Sequence, residues 1–399
     1  MKILFLCNKS PYPPIEGGSI AMNALINGLI DAGHQVKVIA VSSNKFKISE
    51  NDIPKSYIEK TGLELVYISL KVHPYAALVN LFSRKSYHAQ RFIAKKFKKA
   101  ITRVLTAEQF DIVQLETVYM GSYIGTIRKH SKAKIILRAH NIEHLIWQRI
   151  ADETSKPLKR KYIRLLAARL RRFEAFILNR ADGVAAISAE DAAYMVTEGC
   201  RVPITYIPFA IDTKVEPAAN NSIIPLSLCH IGSMNWMPNE SGIRWFLDNV
   251  WQRLHEEFPK ASLYLAGRYM PEELMELKIE GLHVLGEVDD AKAFIQDKAI
   301  MIVPIFSGSG IRVKIIEGMW EKKAIISTSI GASGIQFTDE KNILIAENAN
   351  EFLEKIRLCF NSSQYCNDLG ENAHQLIIEN YNNSNAINKL VNFYLNLIN

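Results

Sequence analysis

Apolar positions along the chain follow two rhythms. Short unbroken runs such as Ile3-Leu4-Phe5-Leu6-Cys7 alternate with stretches where apolar residues return every three or four positions. The opening shows the repeating unit. Residues 2–7 predict a short buried strand. A loop with Pro11, Pro13, Pro14 and Gly17-Gly18 follows, and Ser19 is placed to cap a helix carrying Ala21, Leu25, Ile26, Leu29 and Ile30. Gly33 stands where a left-handed residue ends a helix, and 35–41 reads as the next strand. A helix that joins two apolar strands directly is the signature of a parallel, doubly wound sheet.

The alternation continues through strands expected at 63–69, 112–115, 134–138, 183–187 and 205–208. It restarts after a polar, proline-containing stretch at 212–225. Further strands are expected at 227–231, 262–266, 283–285, 299–303 and 324–328, with helices at 239–258, 351–359 and 373–398. The class is therefore α/β, in two units linked near 209–225.

Composition narrows the picture. The chain has 399 residues, 48% hydrophobic and 22% charged, which excludes a collagen-like or wholly disordered polymer and accommodates two domains. The five cysteines (7, 200, 229, 359, 366) are scattered, with no C-x-x-C pair, as expected for a reducing compartment and not for a cysteine-held zinc. The first apolar run is too short for a secretory signal, and no window approaches the ~18 apolar residues of a membrane span. A cytoplasmic protein is expected. The net charge of +7 is uneven. Residues 84–103 hold eight Lys and Arg and no acid, and residues 156–180 hold nine against Glu174 alone. In 91–105, Phe92, Ile93, Phe97, Ile101, Val104 and Leu105 share a face, and in 160–178 Leu166, Leu170, Phe173 and Ile177 form a stripe. Two readings stand: core-packed helices with solvated basic faces, or a patch for anionic lipid. Nucleic acid is not expected, because no recognition motif is present.

Three stretches could carry chemistry. The opening loop lacks the G-x-G-x-x-G dinucleotide fingerprint, but Gly17 and Gly18 offer free N–H groups at a helix start. Arg138-Ala139-His140-Asn141-Ile142-Glu143-His144 follows an apolar strand, where open α/β sheets place ligands. His140, Glu143 and His144 also fit the inverted zinc-hydrolase motif, which needs both histidines on one helix face, whereas His140 adjoins the strand and is expected in the loop. Third, Ser307-Gly308-Ser309-Gly310 runs into a helix starting near Ile311. Arg312 and Lys314 put cations where the helix dipole is already positive, and a bound diphosphate would reverse that penalty. Glu317 lies further along, within reach of ribose hydroxyls. There is no Asp-x-Asp to hold a divalent metal, so neutralisation of a diphosphate falls to Arg312, Lys314 and backbone dipoles.

With these motifs, nearly the whole chain resembles bacterial glycosyltransferase family 4, whose GT-B fold has two facing Rossmann-like domains with a cleft between them. The resemblance rests on the start with Gly17-Gly18, on Ala32-Gly33-His34-Gln35-Val36, on Ile207-Pro208-Phe209-Ala210-Ile211-Asp212, on His230-Ile231-Gly232-Ser233-Met234-Asn235-Trp236-Met237-Pro238-Asn239, on Leu265-Ala266-Gly267-Arg268, on Gly286-Glu287-Val288-Asp289-Asp290 and, most specifically, on 307–319. It implies an N-terminal acceptor domain, 1–208, joined by a helix at about 380–399, and a donor domain, 209–379. It implies transfer of a sugar from a UDP or GDP donor to a glycan or lipid-linked acceptor, with retention and without a cofactor or metal, in surface polysaccharide or glycolipid assembly. A peripheral place on the inner membrane face would follow. His140, Arg312 and Lys314 would be catalytic. Gly17, Gly18, Gly232, Ser233, Met234, Arg268, Val288, Ser309, Gly310, Ile311 and Glu317 would bind the donor, and Asn141 and Glu116 the acceptor.

Two departures stand out. Ser309 occupies the place of the first of the family's paired glutamates, which usually contacts the donor sugar. The first donor-domain loop offers Ser233, Met234 and Asn235 where many members carry an arginine, with a lysine on the helix after it. The competing readings are an inactive GT-B scaffold that binds nucleotide or a partner, a nucleotide-sugar epimerase on the same fold, and the zinc hydrolase.

Overall fold

The computed structural model describes all residues except 45–47, 72–78, 84, 212, 214–216, 218–222 and 309. Arg84, Asp212 and Ser309, each singled out in the sequence, lie outside the described residues. The chain divides into two compact units, one of 1–210 with 383–399 and one of 211–382.

The first unit is built on a seven-stranded parallel sheet. Its strands are β1 (Lys2–Cys7), β2 (Gln35–Ser42), β3 (Glu64–Tyr67), β4 (Ile112–Glu116), β5 (Lys134–Ala139), β6 (Gly183–Ala186) and β7 (Ile204–Tyr206), in the order β3-β2-β1-β4-β5-β6-β7. Alternate residues serve two cores. Val113, Leu115, Ile135 and Leu137 pack under the helices Lys95–Ala107 and Pro157–Leu178. Ile3, Phe5, Ile112 and Ile136 pack under the helices Gly17–Asp31 and Asn383–Ile398. The last helix is locked on by Asn383 Nδ2, which donates to the Ala24 carbonyl at 3.1 Å.

The second unit has a six-stranded parallel sheet, β10-β9-β8-β11-β12-β13. Its strands are β8 (Ile224–Ile231), β9 (Ser262–Ala266), β10 (Leu282–Gly286), β11 (Lys298–Val303), β12 (Ala324–Ser327) and β13 (Leu344–Ile345). In both sheets the order reverses direction beside the first strand, between β1 and β4 and between β8 and β11. The crevice outside the strand ends at such a point is where open α/β sheets bind ligands.

Several boundaries differ from expectation. The first long helix starts at Gly17, not at a Ser19 cap; Ser19 Oγ instead donates to the Ser10 carbonyl at 3.0 Å and pins the preceding loop. β8 begins at Ile224 and takes in Pro225, which a strand tolerates near its start; the register against β11 shifts there. The expected helix 373–398 is two helices, Ser363–Asn380 and Asn383–Ile398, broken at Tyr381-Asn382. The basic helix expected over 91–105 starts at Lys95, which leaves Ile93 exposed.

Candidate active site

At the reversal in the second unit, β8 runs out through Gly232 into the helix Met237–Phe246, and β11 runs through the glycine loop into the helix Val313–Trp320. Lys314 stands in the first turn of the latter. Its Nζ reaches the facing elements, 2.8 Å from Asn239 Oδ1 and 3.2 Å from His230 Nε2. His230 Nδ1 donates to the Ile302 carbonyl at 2.9 Å, so Nε2 is the acceptor for the ammonium. Gly232 makes this crossing possible, since a Cβ there would lie 2.5 Å from Lys314 Nζ. Gly267 brings the end of β9 against the same loop. Its φ is +149°, and a Cβ would fall 1.8 Å from the Gly232 carbonyl oxygen.

Arg312 occupies the helix N-cap and is buried. Its guanidinium lies 5.0 Å from the Trp236 ring centroid and donates to the Gly310 carbonyl. Burial, with the Arg312 charge adding to it, pushes the Lys314 ammonium down to about 7. Burial, with Lys314 beside it, holds His230 well below its ordinary value. Burial pushes the Glu317 carboxyl up to about 7, against the pull of Lys292. Lys314 thus has two uncharged hydrogen-bond partners and a second cation close by. This is a site that gains stability by taking up an anion.

The other expected donor residues surround it. Ser233 Oγ donates to Asn235 Oδ1 at 2.8 Å, and its carbonyl accepts from Asn239 Nδ2 at 2.9 Å. Met234 packs its side chain into the hydrophobic core, so its contribution to a ligand is backbone; its own N–H donates to the Arg268 carbonyl at 2.9 Å. Arg268 pairs with Glu287 at 3.1 Å. Val288 and Ile311 are half-buried loop residues. His230, Asn239 and Trp236 were legible only as part of a family-like string, although a histidine inside an apolar strand is itself a signal.

In the first unit, His140 follows β5 in a loop and His144 stands on the helix Glu143–Glu153. Their partners differ. His140 Nε2 is bound to the Glu116 carboxylate, and Glu116 also accepts from Gln114 Nε2. His144 Nδ1 lies 2.6 Å from Glu174 Oε2, and its Nε2 lies 3.1 Å from the Tyr194 hydroxyl. Glu174 also accepts the backbone N–H groups of Glu143 and His144, at 2.9 and 3.0 Å. The one acid of the 156–180 segment is thus the cap of the neighbouring helix. The zinc reading loses its ligand set here. Its two imidazoles engage different carboxylates, and Glu143 accepts from the Tyr119 hydroxyl at 2.8 Å. Among the described residues no three His, Cys, Asp or Glu are grouped to hold a metal ion.

Glu116 is not an acceptor contact, since its side chain is fully buried behind His140. Asn141 lines a shallow, open hollow with His144, Tyr194, Arg171 and Glu198. At Gly17-Gly18 the helix start is covered by Lys9, which pairs with Glu16 at 2.8 Å and packs over Gly18.

Two family models match this chain. The Glycosyltransferase Family 4 model covers residues 15–215, and the model for glycosyl transferases group 1 covers residues 225–362. A Klebsiella pneumoniae protein described as an uncharacterized 44.6 kDa protein in the cps region is 21% identical over 98% of both chains. Among solved structures, sucrose-phosphate synthase from Thermosynechococcus elongatus superposes with a TM-score of 0.72 at 15% identity, covering 100% of this chain and 99% of that one. HepE from Anabaena in complex with UDP-glucose gives 0.68 at 13% identity, covering 98% and 99%. The fold is GT-B, with two Rossmann-like units.

Proposed function

The chain belongs to the family 4 glycosyltransferases, and from that premise we propose that it moves a sugar from a UDP donor to a glycan or lipid-linked acceptor with retention of configuration. The observation that carries the reading is Lys314. A buried ammonium held by two neutral groups, beside Arg312 and at a helix start, is built to receive a diphosphate. UDP is favoured over GDP because HepE and the pneumococcal O-GlcNAc transferase GtfA are described in complex with UDP.

In this mechanism Lys314 and Arg312 take up the negative charge that grows on the leaving diphosphate, the part a divalent metal plays elsewhere. Glu317 accepts from the ribose hydroxyls. His140 takes the role of the family's active-site histidine toward the transferred sugar, and the departing phosphate oxygen takes the acceptor proton on the same face. The protein's contribution is placement and charge stabilisation.

A thermal shift with UDP and GDP, each with chelator, tests the donor site. Ligand at 100 times its dissociation constant stabilises the fold by about 2.7 kcal/mol. A shift with UDP alone is expected, and no shift with either nucleotide refutes the site. Release of UDP from a panel of UDP-sugars then separates an enzyme from a nucleotide-binding scaffold, and the anomeric signals of the product report retention.

The acceptor reading is membrane-linked surface glycan, supported by the cps-region relative and by one surface. Arg169 binds the Asn80 and Leu81 carbonyls at 2.7 and 2.9 Å, which sets Phe82, 91% exposed, beside the basic helix. Leu158, 84% exposed, stands at that helix's start among Lys156, Lys159 and Lys161. Protruding apolar residues among lysines suit an anionic bilayer. The chain should sediment with anionic vesicles at low salt and stay in solution with neutral ones.

A further inference from the structure

The first unit holds a line of polar groups where its sheet should be apolar. In β4, residues 112, 114 and 116 share the face covered by the last helix, and two of the three are Gln114 and Glu116, both fully buried. Arg138 lies beside Glu116 in register across β5 and is also buried, donating to the Ala186 carbonyl at 2.7 Å. Burial pushes its guanidinium down to about 10, and the Glu116 charge opposes that.

Gln114 and Glu116 belong to one chain of hydrogen bonds that runs from Tyr394 to His140. The Tyr394 hydroxyl, on the last helix, donates to Gln114 Oε1. Gln114 Nε2 donates to one oxygen of Glu116, and the other oxygen holds His140 Nε2. Each link has one polarity. Tyr394 is a neutral donor, because burial and the Glu116 charge raise it well above its ordinary value. Its proton fixes which end of the Gln114 amide is oxygen, and so turns the NH₂ toward Glu116. The carboxylate in turn accepts the hydrogen bond from Nε2–H. In the neutral ring this leaves Nδ1 as a bare acceptor, and no residue among those described bonds to it.

Such a network is costly inside an apolar core unless every member is satisfied, and replacing it by hydrocarbon would serve stability equally well. We propose that Glu116, Gln114 and Tyr394 are positioning residues that hold His140 as its Nε2–H tautomer and present Nδ1 to a sugar hydroxyl. The last helix thereby contributes to turnover without touching substrate. This rests on the role given to His140 above.

The test uses the full chain and donor turnover, read as UDP release from UDP-sugar. Tyr394→Phe removes one oxygen and should lower kcat about tenfold with the donor KM within about twofold; Glu116→Gln should lower it further, toward about 100-fold. Both losses should vanish in a His140→Ala background, because these residues act through the ring. Losses of equal size with and without His140 would overturn the proposal and make them general packing residues. Wild-type turnover in His140→Ala would overturn it together with the role of His140, while leaving UDP binding at Lys314 intact. Ring ¹⁵N shifts of His140 in the unaltered protein need no variant. A protonated Nε2 and unprotonated Nδ1 are expected, and the opposite tautomer would sink the proposal even if every variant misfolds.

Discussion

The ends of the two sheets handle buried charge in opposite ways. In the first unit the polar groups close on one another. His140 meets Glu116, His144 meets Glu174, and Arg138 has Glu116 beside it. In the second unit Lys314 hydrogen-bonds the neutral His230 and Asn239, with Arg312 adding like charge and Glu317 opposing it. The first arrangement supplies its countercharges from within the chain. The second gathers two cations against one carboxyl whose charge burial disfavours, an excess that the proposed anion would offset. Equal depth of burial thus says little about role; what matters is whether the countercharge is supplied by the chain.

This contrast breaks most sharply at Glu116. Glu116→Ala leaves Arg138 uncompensated in the core and should cost about 3 kcal/mol of stability, seen as a lower urea midpoint. Lys314→Ala should instead weaken UDP binding about 100-fold by titration calorimetry. A third expectation concerns pH. Bound diphosphate lifts Lys314 from about 7 toward its ordinary range, so binding takes up a proton between those values. UDP affinity should therefore fall as pH rises above 7, by up to about tenfold per unit, and the slope should flatten in Lys314→Arg. In the unliganded chain the depressed Lys314 costs stability in full below pH 7, and the cost is relieved as pH rises toward the ordinary lysine value. Glu317 runs the other way, its raised carboxyl costing stability increasingly from its ordinary range up to about 7. Glu317→Gln should remove that second slope from thermal midpoints. The smallest effect has the opposite sign to the first: Lys314→Met should raise stability by about 1 kcal/mol while weakening UDP binding as much as Lys314→Ala does.

The central strands were legible because parallel strands buried on both faces read as unbroken apolar runs. β13 escaped because two residues, Leu344–Ile345, carry no rhythm. The break at Tyr381-Asn382 was hidden because apolar spacing resumes on its far side. Arg312, Lys314 and Glu317 stood out because their cations sit against a helix dipole in one short segment. Glu116 was misread, since a carboxylate at a strand end looks solvent-facing until the helix covering it is known. Tyr394 had no local signal at all. Its partner Gln114 is 280 residues away, and only the folded sheet brings them together.

The return of residues 383–399 to the first unit sets an order of events in the cell. At about 5–20 residues per second, roughly ten to thirty seconds of synthesis separate residue 210 from residue 383. For that interval one face of the first sheet, with Gln114 and Glu116 on it, has the helix Gly17–Asp31 but lacks the last helix. A nascent chain at this stage leaves apolar surface exposed that the last helix will later bury, and its histidine loop is not yet braced. The second unit, made in between, folds from contiguous residues and needs no such wait. A chain cut short before Tyr394 would therefore keep its second unit whole while its first stayed unfinished.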